Sequence, residues 1–335
     1  MKERSKVLVV GAGSIGERHI RCFLATERAE VEFVEPNDSL REAIICKHPR
    51  TKSHCSLDSG LSQTTFDMAV IATPALFHVA QAIELARRKV HVLIEKPLSV
   101  TMAGISDLRQ IAQSNSVVIA IAYVQRCNPV LSEMRAAVNS GEFGRPVELV
   151  AVCGQNFPFY RPAYRETYYV RHETGGGAVQ DALTHIINTC QWIVGDIDRV
   201  VADVDHKVLG GVEVEDTAHA LARHGEVLAS YSLNQHQAPN ETTITVICEN
   251  GTVRFEGHHH RWLSMKSPGD PWSEHASRPL ERDELFVRQA NAFLDCIERG
   301  ATPVCSLDEG VATLRANLAI LQSAQSGGWI NLRDM

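Results

Sequence analysis

Two polar side chains near the middle of the chain are spaced so that they could act together on a substrate. Asp181 and His185 stand four residues apart and follow a run of three glycines at 175–177. This spacing places both side chains on one face of a helix, where an aspartate and a histidine can form an acid–base pair for an alcohol. A solvated surface pair has the same spacing, but residues 182–192 are largely apolar, and a buried pair needs a chemical reason.

A third candidate lies in the short motif Glu95-Lys96-Pro97, which ends an apolar segment. A lysine at a strand end can donate a hydrogen bond to a substrate hydroxyl. A desolvated lysine also has a lowered pKa and can take part in proton transfer. A surface Glu-Lys pair before a turn is the alternative, and the position at the strand end favours a function.

The elements that must position these residues begin with residues 1–124, where short apolar runs alternate with helical patterns. Strands are predicted at 6–10, 31–35, 68–72, 90–95 and 117–123, and helices at 15–26, 78–88 and 102–113. Ser39 and Glu42 form a capping box that opens a further helix. Strands that are apolar on both faces and separated by helices predict a doubly wound parallel sheet, the Rossmann arrangement.

The first predicted strand runs into a glycine-rich loop of the form G-x-G-x-x-G. Its residues are Gly11, Ala12, Gly13, Ser14, Ile15 and Gly16. Such a loop permits a tight turn, close approach of a pyrophosphate and close packing of the following helix. Glu35 ends the second strand, where a carboxylate binds the ribose hydroxyls and repels a 2′-phosphate, which favours NAD over NADP. A structural turn with an unrelated surface glutamate is the alternative.

Thr73 and Pro74 follow the strand at 68–72 and are expected to border the cofactor, because ligands bind at the carboxyl ends of parallel strands. His78 lies one turn into the next helix. A cofactor contact and a packed helix histidine are equally compatible with its position.

Residues 125–335 have a different pattern, which predicts an α+β domain with an antiparallel sheet. Helices are predicted at 129–139, 178–194, 284–299 and 307–323, and strands at 147–153, 200–205, 218–223, 227–233, 242–248 and 252–255. His224-Gly225 and Asn250-Gly251 separate strand pairs, and the second is a strong hairpin signal. The predicted domains are therefore 1–124 for the dinucleotide and 125–335 for substrate binding and oligomerisation.

The segment 157–171 is rich in tyrosine and arginine and precedes the triple glycine. Tyrosines stack on sugar faces, and arginines bind carboxylates or phosphates, so Tyr164, Arg165 and Tyr168 are candidate substrate contacts. A subunit-interface arm has the same composition, and both interpretations stay open.

Gly257-His258-His259-His260-Arg261 is the one unusual cluster of residue types in the chain. Three adjacent histidines cannot all face one ion, so a solvated hairpin end is favoured and no metal is predicted.

The composition and net charge of the chain argue against several classes of function. The chain has 335 residues, 44% hydrophobic and 22% charged, with a net charge of −7. Mild acidity argues against nucleic-acid and anionic-membrane binding, and no apolar run is long enough for a membrane helix. Nine scattered cysteines, without a C-x-x-C pair, predict free thiols in a reducing cytoplasm.

The motifs together resemble the glucose–fructose oxidoreductase / inositol dehydrogenase / rhizopine catabolism family over nearly the whole chain. They are the Gly11–Gly16 loop, Ala72-Thr73-Pro74 with His78, Glu95-Lys96-Pro97, Arg126 with Pro129, the triple glycine followed by Asp181 and His185, and Leu307-x-Glu309-Gly310. The chain departs from the family pattern at Leu183, where a small residue is common, and at Asn188, where an aspartate is common.

The resemblance implies a Rossmann domain followed by an α+β domain with an open, mostly antiparallel sheet that builds homodimers or homotetramers. It implies NAD(P)-dependent oxidation or reduction of a sugar, sugar-acid or cyclitol hydroxyl. Lys96, Asp181 and His185 would be the catalytic trio, with Arg126 a further substrate contact and Glu95 part of the cofactor site. His185 would take the hydroxyl proton while Lys96 stabilises the developing charge on the oxygen.

Two other functions share these features. A redox-neutral enzyme would keep NAD bound, oxidise a glycoside, eliminate its substituent and reduce the product again. A non-enzymatic sensor would bind the dinucleotide and a partner without turnover. An intact set of Lys96, Asp181 and His185 disfavours the sensor, and fold alone decides none of the three.

Overall fold

The computed structural model describes residues 4–275 and 279–335. The strands are β1 Ser5–Val10, β2 Ala29–Val34, β3 Lys52–His54, β4 Met68–Ile71, β5 His91–Ile94, β6 Ile119–Ile121, β7 Pro146–Gly154, β8 Arg199–Asp205, β9 Thr217–His224, β10 Val227–Asn234, β11 Glu241–Cys248, β12 Gly251–Glu256, β13 Arg261–Met265, β14 Ser273–His275 and β15 Ile330–Asn331. The helices are α1 Ser14–Ala25, α2 Asp38–Lys47, α3 Leu57–Gln63, α4 His78–Arg87, α5 Ile105–Ser114, α6 Pro129–Asn139, α7 Phe157–Tyr160, α8 Thr184–Val194, α9 Glu284–Arg299 and α10 Leu307–Ser326.

The chain forms two compact units. The first unit comprises Met1–Cys127 and Glu281–Val311, and the second comprises Asn128–Leu280 and Ala312–Met335. The boundary predicted at 124/125 assigns residues 281–311 to the second domain, whereas the structure groups them with the first unit.

Packing and charge explain why the segment 281–311 joins the first unit. Phe293 and Leu294 of α9 are buried in the same hydrophobic cluster as Phe23 of α1. Arg21 of α1 donates to both carboxylate oxygens of Asp283, at 2.6 and 2.8 Å. Both interactions join residues more than 250 positions apart, so no local pattern reports them.

A six-stranded sheet in the order β3-β2-β1-β4-β5-β6 forms the centre of the first unit. All of its strands are parallel, and Val7 of β1 lies beside Val31 of β2 on one side and Met68 of β4 on the other. The central strands β1, β4, β5 and β6 are largely buried, as their apolar character on both faces requires, whereas β3 and the polar positions of β2 are partly exposed. The predicted doubly wound sheet is confirmed, and its order reverses between β1 and β4, which makes this the switch point.

One local prediction in the first unit is wrong, and two short elements of this unit lie outside the predicted ones. Asn37, rather than Ser39 with Glu42, caps α2, because its side-chain oxygen accepts the backbone N–H of Leu40 at 3.0 Å. The short elements β3 and α3 were not predicted. Their residues are mostly polar and too few to show a hydrophobic period, although Ser56 does cap α3.

A nine-stranded sheet in the order β14-β13-β12-β11-β7-β10-β9-β8-β15 forms the second unit. Its pairs are antiparallel except for β7 and β10. One face is covered by helices, with Met134 of α6 and Ile187 of α8 buried in one cluster with Leu149 of β7. The predicted antiparallel α+β architecture is confirmed, as are both hairpins. Their turn residues are 225–226 and 249–250, because His224 ends β9 and Gly251 begins β12.

The structure also bears on the cysteines and on the membrane. All nine cysteines are free thiols, seven of them buried or half-buried. Within residues 4–275 and 279–335, no helix has both the length and the apolar character needed to cross a bilayer.

Candidate functional site

The glycine-rich loop joins β1 to α1 at the switch point of the first unit. A Cβ atom at Gly16 would lie 1.9 Å from the backbone oxygen of Gly11, so only glycine allows the helix to approach the strand this closely. Among residues 4–275 and 279–335, a Cβ atom at Gly13 would meet nothing within 4 Å, and no side chain caps α1. The loop therefore leaves room above the helix N-terminus, where the backbone amides suit a phosphate group.

Glu35 follows β2, the strand next to β1. Its side chain accepts the backbone N–H of Ala12 at 3.1 Å and that of Asn37 at 3.0 Å. These bonds fix a buried carboxylate beside the glycine loop. This position fits the ribose hydroxyls of a dinucleotide, and together with the open space at Gly13 it meets the requirements of such a cofactor.

His78 links the turns that follow β4 and β5. It is 1% exposed, and its Nε2 lies 2.7 Å from the Thr73 oxygen while its Nδ1 lies 3.0 Å from the Pro97 oxygen. Burial lowers the pKa of His78 in spite of these carbonyls, so the neutral ring donates to one of them. Of the two interpretations of this residue, the structure supports the packed helix histidine, and a direct cofactor contact stays a prediction for His78, Thr73 and Pro74.

Lys96 lies at the carboxyl end of β5, half-buried, with a cis peptide bond to Pro97. The Lys96 backbone N–H donates to Glu95 Oε2 at 3.1 Å, and Glu95 Oε1 lies 2.7 Å from His19 Nε2. Burial raises the pKa of Glu95, but the hydrogen bond from His19 and the positive charges of His19 and Lys96 outweigh it. The pKa of Glu95 is therefore below its ordinary value.

His19 was not singled out from the sequence. It lies three residues after Gly16, on the buried side of α1, and its contact with Glu95 spans 76 positions. The position of a histidine on the apolar face of the first helix could have indicated a buried polar contact. Its partner, Glu95, could be found only in the folded unit.

Arg126 is held by protein groups of the first unit. Its side chain is 1% exposed and pairs with Glu309, and its Nη1 donates to the Val304 oxygen at 3.2 Å. These contacts tie the end of the sheet to the segment 281–311, and a substrate contact of Arg126 stays a prediction.

Asp181 lies in a π-turn, Val179–Leu183, that leads directly into α8. The four-residue spacing from Asp181 to His185 was interpreted for a continuous α-helix, and the π-turn changes the angular relation between the two side chains. Asp181 is 9% exposed, whereas His185 is half-buried. Insertions of this kind are frequent at functional sites.

Tyr168 contacts Asp181 directly. Its hydroxyl donates to Asp181 Oδ1 at 2.7 Å, although the tyrosine side of the contact is half-exposed. This bond joins the tyrosine-rich segment to the candidate acid–base pair of the same unit. Of the three residues predicted as substrate contacts in that segment, Tyr168 is the one that reaches the pair.

Tyr164 and Arg165 are engaged within the segment itself. Tyr164 is 2% exposed, and its hydroxyl donates to the Gly210 oxygen at 2.7 Å. Arg165 donates to the same oxygen at 2.7 Å, and its guanidinium stacks on the Tyr164 ring. Their observed role is to anchor the segment, and contact with a substrate stays a prediction.

Glu215 explains part of the triple glycine. Its side chain accepts the backbone N–H of Val179 at 2.9 Å, and its backbone oxygen accepts that of Ala178 at 2.9 Å. A Cβ atom at Gly177, where φ is +88°, would lie 2.5 Å from the Glu215 carboxylate. His172 completes the group, because its Nε2 faces the other carboxylate oxygen. Glu215 therefore fixes the entry of the π-turn, a role that sequence reasoning missed.

Two buried amide–hydroxyl pairs hold α8 against α10. Asn188 donates to Thr313 Oγ1 at 2.9 Å, and Asn317 donates to Thr184 Oγ1 at 2.8 Å. All four residues are at most 1% exposed. The asparagine found at position 188, where the family commonly has aspartate, thus has a neutral partner in this chain.

The parallel sheet, the glycine loop and the glutamate after β2 define a protein of the dinucleotide-binding Rossmann class. A family model described as "Oxidoreductase family, NAD-binding Rossmann fold" matches residues 5–123, and one described as "GFO/IDH/MocA C-terminal domain" matches residues 131–254. The chain belongs to the GFO/IDH/MocA family of oxidoreductases, as the sequence motifs indicated.

Some relatives match nearly the whole chain at low identity. It is 22% identical to D-xylose 1-dehydrogenase (NADP(+)) 2 of Haloferax volcanii, over 97% of this chain and 98% of the relative. A solved levoglucosan dehydrogenase, in complex with NADH and levoglucosan, has a TM-score of 0.89 at 18% identity and covers 98% and 100% of the two chains. The WlbA dehydrogenase from Bordetella pertussis, in complex with NADH and UDP-GlcNAcA, has a TM-score of 0.84 at 25% identity, with 98% and 99% covered.

Proposed function

We propose that this protein is an NAD-dependent dehydrogenase that acts on a secondary alcohol of a sugar, sugar acid or cyclitol. The observation that carries the proposal is the position of Lys96. It follows the carboxyl end of β5, on the same edge of the sheet as the glycine loop after β1 and Glu35 after β2. A lysine there stands at the edge where a Rossmann sheet binds its cofactor.

The proposed roles of the three catalytic residues follow from their chemistry. NAD, when bound, accepts the hydride from the alcohol carbon. His185 takes the proton of the substrate hydroxyl, and Lys96 donates a hydrogen bond to the same oxygen and stabilises its developing charge. Asp181, held by Tyr168, orients the histidine or binds a neighbouring hydroxyl.

The preference for NAD over NADP is proposed from Glu35. Its carboxylate is fixed by two backbone N–H groups and cannot swing away without leaving both unpaired. A 2′-phosphate placed beside this fixed negative charge would be repelled. The xylose dehydrogenase relative is named for NADP(+), whereas the two solved relatives hold NADH, so this preference needs its own test.

We further propose that the protein forms homodimers or homotetramers through the uncovered face of the nine-stranded sheet. Val152, Leu221 and Leu228 lie on one face of neighbouring strands and are 49%, 55% and 50% exposed. Large aliphatic side chains in such a row are typical of an interface. The free thiols support a reducing compartment, and we place the protein in the cytoplasm.

The test is NADH formation at 340 nm with NAD and then NADP, across sugars, sugar acids, cyclitols and glycosides. We expect one substrate class to reduce NAD, and Lys96→Ala to abolish the reaction. Lys52→Ala, at a half-exposed lysine in the same unit, is the matched control and should be fully active.

Other outcomes would contradict individual parts of the proposal. Preference for NADP would refute the argument from Glu35. A glycoside that is consumed without net NADH, with dinucleotide retained by the purified protein, would favour the redox-neutral enzyme. Bound dinucleotide without consumption of any compound would favour the sensor.

A further inference from the structure

The hairpin between β12 and β13 presents a group of metal-ligating side chains outside the proposed catalytic residues. The two strands pair up to Glu256 and Arg261, and a short turn, Gly257–His259, joins them. His260 completes the loop in the left-handed conformation, with φ of +51°. The paired strands therefore fix the backbone on both sides of the turn.

The turn separates the three consecutive histidines into two sets. The ligand atoms of Glu256, His258 and His259 all lie within 4.8 Å of one another, and those of His260 are not part of this group. The premise that three adjacent histidines cannot share one ion therefore holds, but two of them converge with a carboxylate.

A second observation concerns His258 itself. Its Nδ1 atom is buried and has no hydrogen-bond partner among the described residues. A buried polar nitrogen without a partner is costly, because it has lost its water without gaining another contact. A ligand at that nitrogen would remove the cost.

We propose that Glu256, His258 and His259 form a site for a divalent transition metal of the zinc class. Two imidazoles and one carboxylate are a donor set that Zn²⁺ accepts, with bonds of about 2.0–2.2 Å. Tetrahedral ligands are then separated by about 3.4 Å, so the side chains have to close from 4.8 Å by rotation. The fourth position would hold water.

Arg261 is placed to orient the carboxylate of this site. Its guanidinium pairs with Glu256 Oε2 at 2.9 Å, and the other oxygen can then serve the metal. Such outer hydrogen bonds fix the direction of a ligand. The Glu256 side chain is only 15% exposed, which limits competition from water.

The chain supplies its own control. Nonspecific binding to consecutive histidines would weaken equally on loss of any one of them, whereas the proposed site uses His258 and His259 but not His260. Zinc chloride titration of the full-length protein by calorimetry compares wild type with His258→Ala, His259→Ala, Glu256→Gln and His260→Ala. Bound metal is first removed with a chelator, and the chelator is removed by buffer exchange. Far-UV circular dichroism checks that each variant is folded.

We expect wild type to bind one Zn²⁺ at this hairpin. Each of the first three variants should lower the affinity for Zn²⁺ by about tenfold or more, or abolish binding. His260→Ala should bind Zn²⁺ like wild type. The proposal is overturned if wild type shows no binding, if His260→Ala weakens it as much as His258→Ala, or if the three ligand variants bind like wild type. The readout is metal binding and does not depend on the proposed dehydrogenase activity.

Discussion

Replacing His19 by leucine tests the contact that supports the turn of Lys96. The His19 and Glu95 side chains are 1% and 7% exposed, and their nitrogen–oxygen distance is 2.7 Å. Leucine removes the partner and leaves a carboxylate in a buried site. Breaking a buried pair in this way costs about 3–5 kcal/mol, which is much of the stability of an ordinary domain.

The effect should depend on pH with a definite sign. In the wild type the pKa of Glu95 lies below its ordinary value of 4.5. The pair therefore stabilises the fold above pH 4.5 and ceases to do so as pH falls through the folded pKa. In His19→Leu, burial still raises the pKa of Glu95, but the hydrogen bond from His19 that lowers it is lost. The pKa of Glu95 therefore rises. The penalty is then largest near neutral pH and shrinks as pH falls toward 4.5.

The assay must report on the first unit. All four tryptophans (192, 262, 272 and 329) lie in the second unit, so their fluorescence does not follow the relevant region. The first unit is followed instead by hydrogen exchange of peptides from β1 and β5, measured by mass spectrometry at several urea concentrations.

The double variant His19→Leu/Glu95→Gln is the control. It replaces the stranded charge by a neutral amide and should recover more than half of the lost stability, without the pH dependence. The reasoning is refuted if His19→Leu costs less than about 1 kcal/mol, a value typical of an ordinary hydrogen bond, or if the double variant is less stable than His19→Leu.

Three further predictions address the loop, the acid–base pair and a second histidine. Gly16→Ala should abolish NADH binding, measured by fluorescence enhancement, and unfold the first unit more readily, whereas Gly13→Ala should remain fully stable and only bind more weakly, since its Cβ position is open; equal stability of the two variants would contradict this. Tyr168→Phe removes a hydrogen bond to Asp181 and should lower kcat about 3- to 10-fold with little change in KM; an unchanged kcat would exclude a positioning role. The pKa of His172 is raised from 6.5 by its hydrogen bond to the buried carboxylate of Glu215, against the effect of burial. This pair therefore stabilises the fold below pH 6.5 and ceases to do so as pH rises through the folded pKa. His172→Gln should lower the urea midpoint, measured by tryptophan fluorescence, at pH 6 but not at pH 9, and the opposite trend would refute the assignment.

The sequence by itself determined the features that rest on local patterns. The parallel sheet was predictable because buried strands are apolar on both faces. The glycine loop was predictable because the G-x-G-x-x-G pattern lies between a strand pattern and a helix pattern. The order of strand, loop and helix then placed Glu35 and Lys96 at strand ends. The predicted bounds of α6 and α9, 129–139 and 284–299, also agree with the structure.

Only the tertiary structure decided which distant groups meet. His19 and Glu95 are 76 residues apart. Glu215 accepts a hydrogen bond from the backbone N–H of Val179, which lies 36 residues earlier in the chain. The π-turn at Asp181 could not be predicted, because helical periodicity assumes an unbroken α-helix. The segment 281–311 packs with the first unit through burial and charge pairing, which depend on the folded surfaces and leave no trace in local sequence.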